Sequence, residues 1–583
     1  MTDGAAPKTW AGQEQDTGEQ NPGQQQNSEQ EQNTVRAPVR RPWLYHRRLA
    51  FGIELLALLP AIAMAFEVAG APRLQQLDYW SVLLRITNPD GGFRWGGVWN
   101  LHNEHPLIVP SFLYWVDAKY FGGDNRMLGY LTVVIAAGTV VLLRHAMPRI
   151  LPDVLRAGLV VAASALVFSL HGYHNFALGM SGTAWLTANL LVITSLVLAM
   201  KRQWLPAWLA GLVACLSYGT AFAVWPALFL IAVLHGEPLW RRLTTLGIGA
   251  VVIAEWLHLQ SGLESSASAE SDGVGTLLHA FVTLLGHLWT GSSAGLAVIA
   301  GGAVLCGLLA LLTVPAARTR LLWFWWALAL YGVLACGMIA AARVDFGNGI
   351  GLASRYTSLS VLTSLPLLVI GVTVLFRRAP RNASRLAIAV GVTGLVGFTI
   401  GAPTVTAVGT YLDDAPLKAV ALRAELDHRF WYGIPRTDRL APRLEALDHY
   451  PFTDDYTIGC GGPELGDRLD VDEMRPMPEI EEDQRRPAGA VDEFETHGDT
   501  TLMRGWATGG RSDVRCVLVV DAEGRVTGGG QYHLPRPDVV DLLDWVPSDT
   551  GFAVVAPTDP AGRLVVVLED DWLFWLPTPT TTE

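Results

Sequence analysis

Charge is scarce in this chain: only 16% of its 583 residues are Asp, Glu, Lys or Arg, whereas 50% are hydrophobic. With a mean hydropathy of +0.29, a soluble fold would leave too much apolar surface in water, so the composition points to a polytopic membrane protein. Cysteine is also sparse, at five residues. No C-x-x-C occurs and the histidines are scattered, which argues against a zinc cluster. There is no G-x-x-x-x-G-K-[ST] phosphate loop, no H-E-x-x-H and no basic stripe interleaved with aromatics. Nucleotide-driven transport and nucleic-acid binding are therefore disfavoured. The net charge of -12 decides little, because its signs are segregated along the chain.

Long apolar runs are abundant. Windows near 49–68, 126–147, 157–171, 182–200, 205–218, 219–234, 244–260, 293–313, 321–342, 357–376 and 385–402 predict about eleven spanning helices within a bundle over 40–402, since a crossing takes roughly 17–25 residues. Arg144, Arg149 and Arg156, then Lys201 and Arg202, Arg241 and Arg242, Arg318 and Arg320, and Arg377 to Arg385 fall in every second connection. That is the positive-inside pattern, and it predicts a cytoplasmic N-terminus and an extracytoplasmic C-terminal region in the cell membrane. The tail over 1–39, with "GQEQDTGEQNPGQQQNSEQEQN", has too few apolar side chains to fold and is expected to be disordered. Glycines in runs such as "AGLAVIAGG" suit close helix packing.

Beyond about Pro403 the apolar runs stop. Residues 403–494 read as a linker with a helical part, 495–577 as a small antiparallel β-sandwich with β-formers between "DAEGR" and "DPAGR" turns, and 578–583 as a tail. Cys460 and Cys516 both fall outside the spans, where a disulfide between them can form; Cys215, Cys306 and Cys336 sit in apolar runs. Trp506 reads as a core residue of the sandwich, and Arg536 and Asp538 as fixing a turn.

The segment "DYWSVLLRITNPDGGFRWGGVWNLHNEHPLIVPSFLYW" lies in the first external loop, about 69–125. Trp80, Trp95, Trp99, Tyr114 and Trp115 are amphipathic residues of the kind that line a membrane interface. Asp78 follows the first span closely, and Glu104 is flanked by His102 and His105; acids so near a bilayer mark candidate chemistry. Histidine suits proton transfer near neutrality or a hydrogen bond to phosphate, which also brings in His171 and His174 of "SLHGYHNFALGMSG". Arginines on the outer side run against the positive-inside pattern, so Arg343 and Arg355, the latter beside Tyr356 in "SRYT", are candidate phosphate contacts. Asp78, Glu104 and a histidine could together hold a divalent ion, although two acids alone do not establish one. "VGTLLHAFVTLLGHLW" is amphipathic and is expected to lie along the membrane surface.

This arrangement resembles the C-type superfamily of membrane glycosyltransferases, through the "LDYW" acid just after the first span, the long first loop, about eleven spans and an outer C-terminal domain. "HNEHP" is similar to a stretch in uncharacterised bacterial membrane proteins of that group. The resemblance implies hexosyl or pentosyl transfer from a polyprenyl-phosphate sugar to a cell-envelope glycan, lipid or protein. It also implies that Asp78 serves as general base or orients the acceptor. On this reading Asp78 and Glu104 are the catalytic candidates, and His102, His105, His171, His174, Arg343, Arg355 and Tyr356 the substrate-binding ones. Two other readings stand beside it: a transporter or flippase, which would place polar breaks near the bilayer midplane, and a non-catalytic membrane protein that binds envelope glycans.

Overall fold

The computed structural model describes residues 46–261, 273–290, 293–343, 350–426, 437–479, 485–559 and 561–576. The N-terminal tail, most of the serine-rich loop, Asp345 and the final tail lie outside them. Among the described residues nine helical stretches are long and apolar enough to cross a membrane: Arg47–Ala69, Asn125–Ala146, Asp153–Gly172, Gly179–Met200, Leu239–Ser261, Ala294–Leu312, Arg320–Arg343, Ser354–Arg378 and Pro380–Arg423. Their outward faces keep large apolar side chains exposed, Phe51, Phe66, Leu239 and Val251 among them, as a lipid-facing surface would. Glu54, an acid within the first of these helices, is met by Arg144 Nη2 at 2.7 Å.

Two of the expected spans differ. The windows 205–218 and 219–234 form the short helices Trp204–Cys215 and Gly219–Leu234, broken at Leu216–Tyr218. At 1.5 Å per residue a 12-residue helix is about 18 Å long, well short of a bilayer core of about 30 Å. The amphipathic stretch Val274–Trp289 is not merely laid on a surface: Ala280, Leu284 and Leu285 are buried. A Cβ on Gly286 would meet Gly301 N at 2.3 Å, so this helix and Ala294–Leu312 cross at facing glycines.

The C-terminal region is one curled eight-stranded sheet rather than two stacked ones. Its strands are β1 (Arg475–Pro476), β2 (Ala488–His497), β3 (Thr500–Thr508), β4 (Val514–Val520), β5 (Val526–Leu534), β6 (Gly551–Pro557), β7 (Arg563–Leu568) and β8 (Leu573–Leu576), in the order β1-β8-β7-β4-β5-β6-β3-β2. Only β1 and β8 run parallel. Gly489 on β2 comes so near Leu576 on β8 that a Cβ there would stand 3.2 Å from it, showing how far the sheet curls. Strand alternation supplies both faces: Met503, Val517, Val554 and Val566 pack on one side, Leu502, Leu518, Val555 and Val565 on the other. The second face continues into the helix Ala415–Arg423 and the first-loop helix Asp78–Ile86, one apolar core joining sheet and loop. Cys460 is bonded to Cys516 with Cα atoms 5.2 Å apart. Trp506 is buried, and Arg536 grips Asp538 at 2.7 Å as a turn brace.

Candidate active site

The first-loop helix Asp78–Ile86 is amphipathic and buries Tyr79, Trp80, Val82, Leu83 and Ile86, which leaves Asp78 at its first turn and facing outward. There a carboxylate complements the helix dipole, a gain of about 0.3–1 kcal/mol. Trp80 and Tyr114, expected at a membrane interface, are fully buried instead. Tyr79 Oη lies 3.0 Å from His449 Nε2 and Arg73 Nη2 lies 2.9 Å from Asp455, so the region after the last span covers this loop. Trp95 and Trp99 stay exposed.

The "HNEH" stretch is a tight turn. His102 and His105 exchange two backbone hydrogen bonds of 3.0 Å, and Asn103 takes a φ of +51°, a left-handed conformation that asparagine tolerates. Glu104 at the tip is held twice. Its carboxylate meets Arg343 Nη2 at 3.1 Å, and its backbone carbonyl accepts from Trp256 Nε1 at 2.7 Å. The turn thereby aims His102 Nε2 at Asp78 Oδ2, 3.3 Å away. His105 points the other way, buried against the Tyr218 ring with centroids 4.2 Å apart. Gly219 makes room for it: a Cβ there would stand 2.8 Å from His105 Nδ1.

Tyr218, in the break between the two short helices, begins an aromatic wall. Trp185 lies 4.0 Å from Tyr218 and 5.4 Å from Tyr356, and Arg355 stands 5.2 Å over the Tyr356 ring. The loop around His174 fixes this end. Ser354 Oγ donates to the His171 carbonyl at 2.6 Å, Thr357 Oγ1 donates to the same carbonyl at 3.2 Å, and Asn175 Nδ2 donates to the Arg355 carbonyl at 2.9 Å. His171 itself turns away, 2.9 Å from Thr404 Oγ1 and with its ring 4.3 Å from that of His287.

Charge ties these parts together. The Asp78 carboxylate is held below its ordinary range chiefly by His102 and further by the fields of Arg355 and Arg343, which outweigh partial burial. Burial, with the nearby Arg343, His102 and Arg355, pushes His105 down to about 3. Burial and the Arg355 field push His174 down to about 4. Both imidazoles are therefore neutral near pH 7. Arg355 is half-buried and is within ion-pair distance of no carboxylate among the described residues. Its charge is met within the fold by the Tyr356 side chain and by the field of Asp78.

Asp78, His102, His105, His174, Arg343, Arg355 and Tyr356 thus share one neighbourhood. Glu104 joins it through Arg343, while His171 stands outside as a support of the loop. No three His, Cys, Asp or Glu side chains among the described residues converge to hold a metal ion. No protein-family model, curated protein or solved structure matches the chain.

Tyr218, Trp185 and Trp256 were not apparent as site residues in the sequence. The one signal for Tyr218 was "SYGT" between two apolar runs too short to span, the mark of a discontinuous helix.

Proposed function

We propose that this chain is a membrane glycosyltransferase of the C-type kind that moves a sugar from a polyprenyl phosphate to a cell-envelope acceptor on the outer face of the membrane. The observation that carries the reading is Arg355: a half-buried guanidinium with no carboxylate in ion-pair reach among the described residues, acting on the same Asp78 that faces His102. A phosphate adds an anion that binds the fork directly, beside the more distant Asp78, and a forked guanidinium suits it.

The acceptor hydroxyl gives its proton to the Asp78–His102 pair while its oxygen bonds to the anomeric carbon. The bond from that carbon to the phosphate oxygen breaks, and polyprenyl phosphate leaves with the electron pair, its charge met by Arg355. Asp78, held low, is a modest base and acts chiefly by orienting the hydroxyl and steadying positive charge on His102. Glu104 holds Arg343 and the turn, a positioning role.

On this topology the N-terminus is cytoplasmic and the curled sheet lies outside. The short helix Trp204–Cys215, only about 18 Å long, brings its broken end to the turn below the outer bilayer surface. Leu216 accepts from Ile108 N at 2.9 Å there, so the first loop comes down to meet it. A site at that depth lies in reach of a lipid tail. Membranes containing the chain, given a panel of radiolabelled polyprenyl-phosphate sugars, should transfer label to envelope material; no transfer from any donor would refute the proposal.

A transporter reading has one observation of its own, the same broken helix at Leu216–Tyr218. It predicts donor translocation across vesicles without any new glycosidic bond.

A further inference from the structure

The curled sheet carries a second feature, away from the acid and arginines of the first loop in sequence and independent of them in chemistry. A cleft of about 950 Å³ opens where β1, the lead-in to β2, the β3–β4 turn and the β7–β8 turn come together. That volume lies at the upper end of the roughly 300–1,000 Å³ typical of ligand clefts. Arg475, Arg485, Arg486 and Arg511 line it, against a single carboxylate among the described residues, Asp570. All four arginines are exposed, and none lies within ion-pair distance of a carboxylate among the described residues.

The arrangement is built into the fold. Ala488 pairs with Thr508 as β2 begins, which sets Arg485 and Arg486 beside the Gly509–Ser512 turn. Gly510, at a φ of +71°, allows the two segments to touch: a Cβ there would meet the Arg486 carbonyl carbon at 2.6 Å and the Arg485 oxygen at 2.8 Å. On the opposite wall Arg475 lies 3.4 Å over the ring of Trp572, which is 40% exposed. Like charges held together by backbone geometry repel one another and raise the local potential, so the cleft favours an anion with more than one charge. Its form separates the available partners. A bilayer surface presses on flat or convex patches, whereas a concave trough with an aromatic wall fits a strand whose sugar rings alternate with charges.

We infer that this cleft binds a strand of an anionic glycan polymer, its carboxylate or phosphodiester groups held by Arg475, Arg485, Arg486 and Arg511 and its sugar rings against the side of Trp572 that Arg475 leaves open.

The test uses the full chain in detergent, titrated with oligogalacturonate, poly(glycerol phosphate), neutral dextran and phosphatidylglycerol vesicles. One or both soluble polyanions should bind, with an affinity that falls as salt rises, while dextran does not. The double variant Arg485→Gln, Arg511→Gln changes exposed side chains only and should weaken that binding at least tenfold with an unchanged melting temperature. Trp572→Ala should weaken it by a smaller factor at constant salt slope. Equal binding of dextran, equal binding by the double variant, or binding to the vesicles and to neither soluble polyanion would each overturn the assignment.

Discussion

Arg343 Nη2 lies 3.1 Å from Glu104 Oε2, which fastens the last turn of a long apolar helix to the tip of the His102–His105 turn. The Glu104 side chain is 30% exposed and that of Arg343 14%, so the pair is neither a solvated surface contact nor a fully buried one. Each member was expected to face substrate, and in the structure they also meet each other. The pair therefore steadies the turn that aims His102 at Asp78, and the role proposed for it is geometric.

A double-mutant cycle tests that role. Glu104→Gln and Arg343→Gln should each lower the melting temperature of the detergent-solubilised chain, and the double variant should lower it by less than the sum. A coupling of about 1–2 kcal/mol is expected for residues in direct contact. Additive losses would show that the contact does nothing.

The pH dependence follows from the signs of the shifts. Asp78 is held below its ordinary value of 3.8, so it stays ionised until the pH falls below the usual carboxylate range. His105, pushed to about 3, and His174, pushed to about 4, stay neutral over the same interval. None of the three should contribute a limb to a rate profile between about pH 5 and 8, where unperturbed histidine would titrate. An acid limb in that interval that survives in His102→Gln but disappears in Asp78→Asn would contradict this assignment.

As the proposed phosphate contact, Arg355 acts through its fork as well as its charge. Arg355→Gln should weaken donor binding by about 2 kcal/mol, or roughly 30-fold, the range for a charge-assisted hydrogen bond. Arg355→Lys should recover only part of that. Donor KM measured on the three proteins decides it, and equal KM values would remove Arg355 from the donor site.

The sheet domain depends on a covalent tie. Cys460 and Cys516 are 56 residues apart in sequence, and closing a loop of that size is worth about 2–4 kcal/mol. Cys460→Ser, or reduction of the parent chain, should lower the melting temperature of the sheet domain. An unchanged melting curve under reductant would count against the tie.

Much of this architecture was legible in the chain because its signals are local. Long apolar runs and alternating β-formers need only a short window to be read, and Asp78 and Arg355 stood out as charges at the ends of such runs. What was not legible depends on distant partners. Trp80 and Tyr114 read as interfacial aromatics, and they are buried by distant chain: His449 lies against Trp80, and the Tyr114 hydroxyl donates to the Met180 carbonyl. A sandwich and a curled sheet share the same alternation; pairing β5 with both β4 and β6, which carries the ladder through the middle, decides between them, and no single strand encodes that. Glu104 and Arg343 each looked like a free charge for substrate because their meeting joins segments far apart in sequence.

The central claim is that Asp78 takes part in sugar transfer. Its most direct test is product analysis in membranes holding equal amounts of the parent chain or Asp78→Asn, with a radiolabelled polyprenyl-phosphate sugar that the parent uses. Asp78→Asn keeps the size of the side chain, and Asp78 is more than half exposed, so folding should survive. The account predicts at least a hundredfold slower transfer with donor binding retained, in line with the roughly 10²–10⁴-fold contribution of a positioned proton-handling group. Equal transfer by both proteins would contradict it.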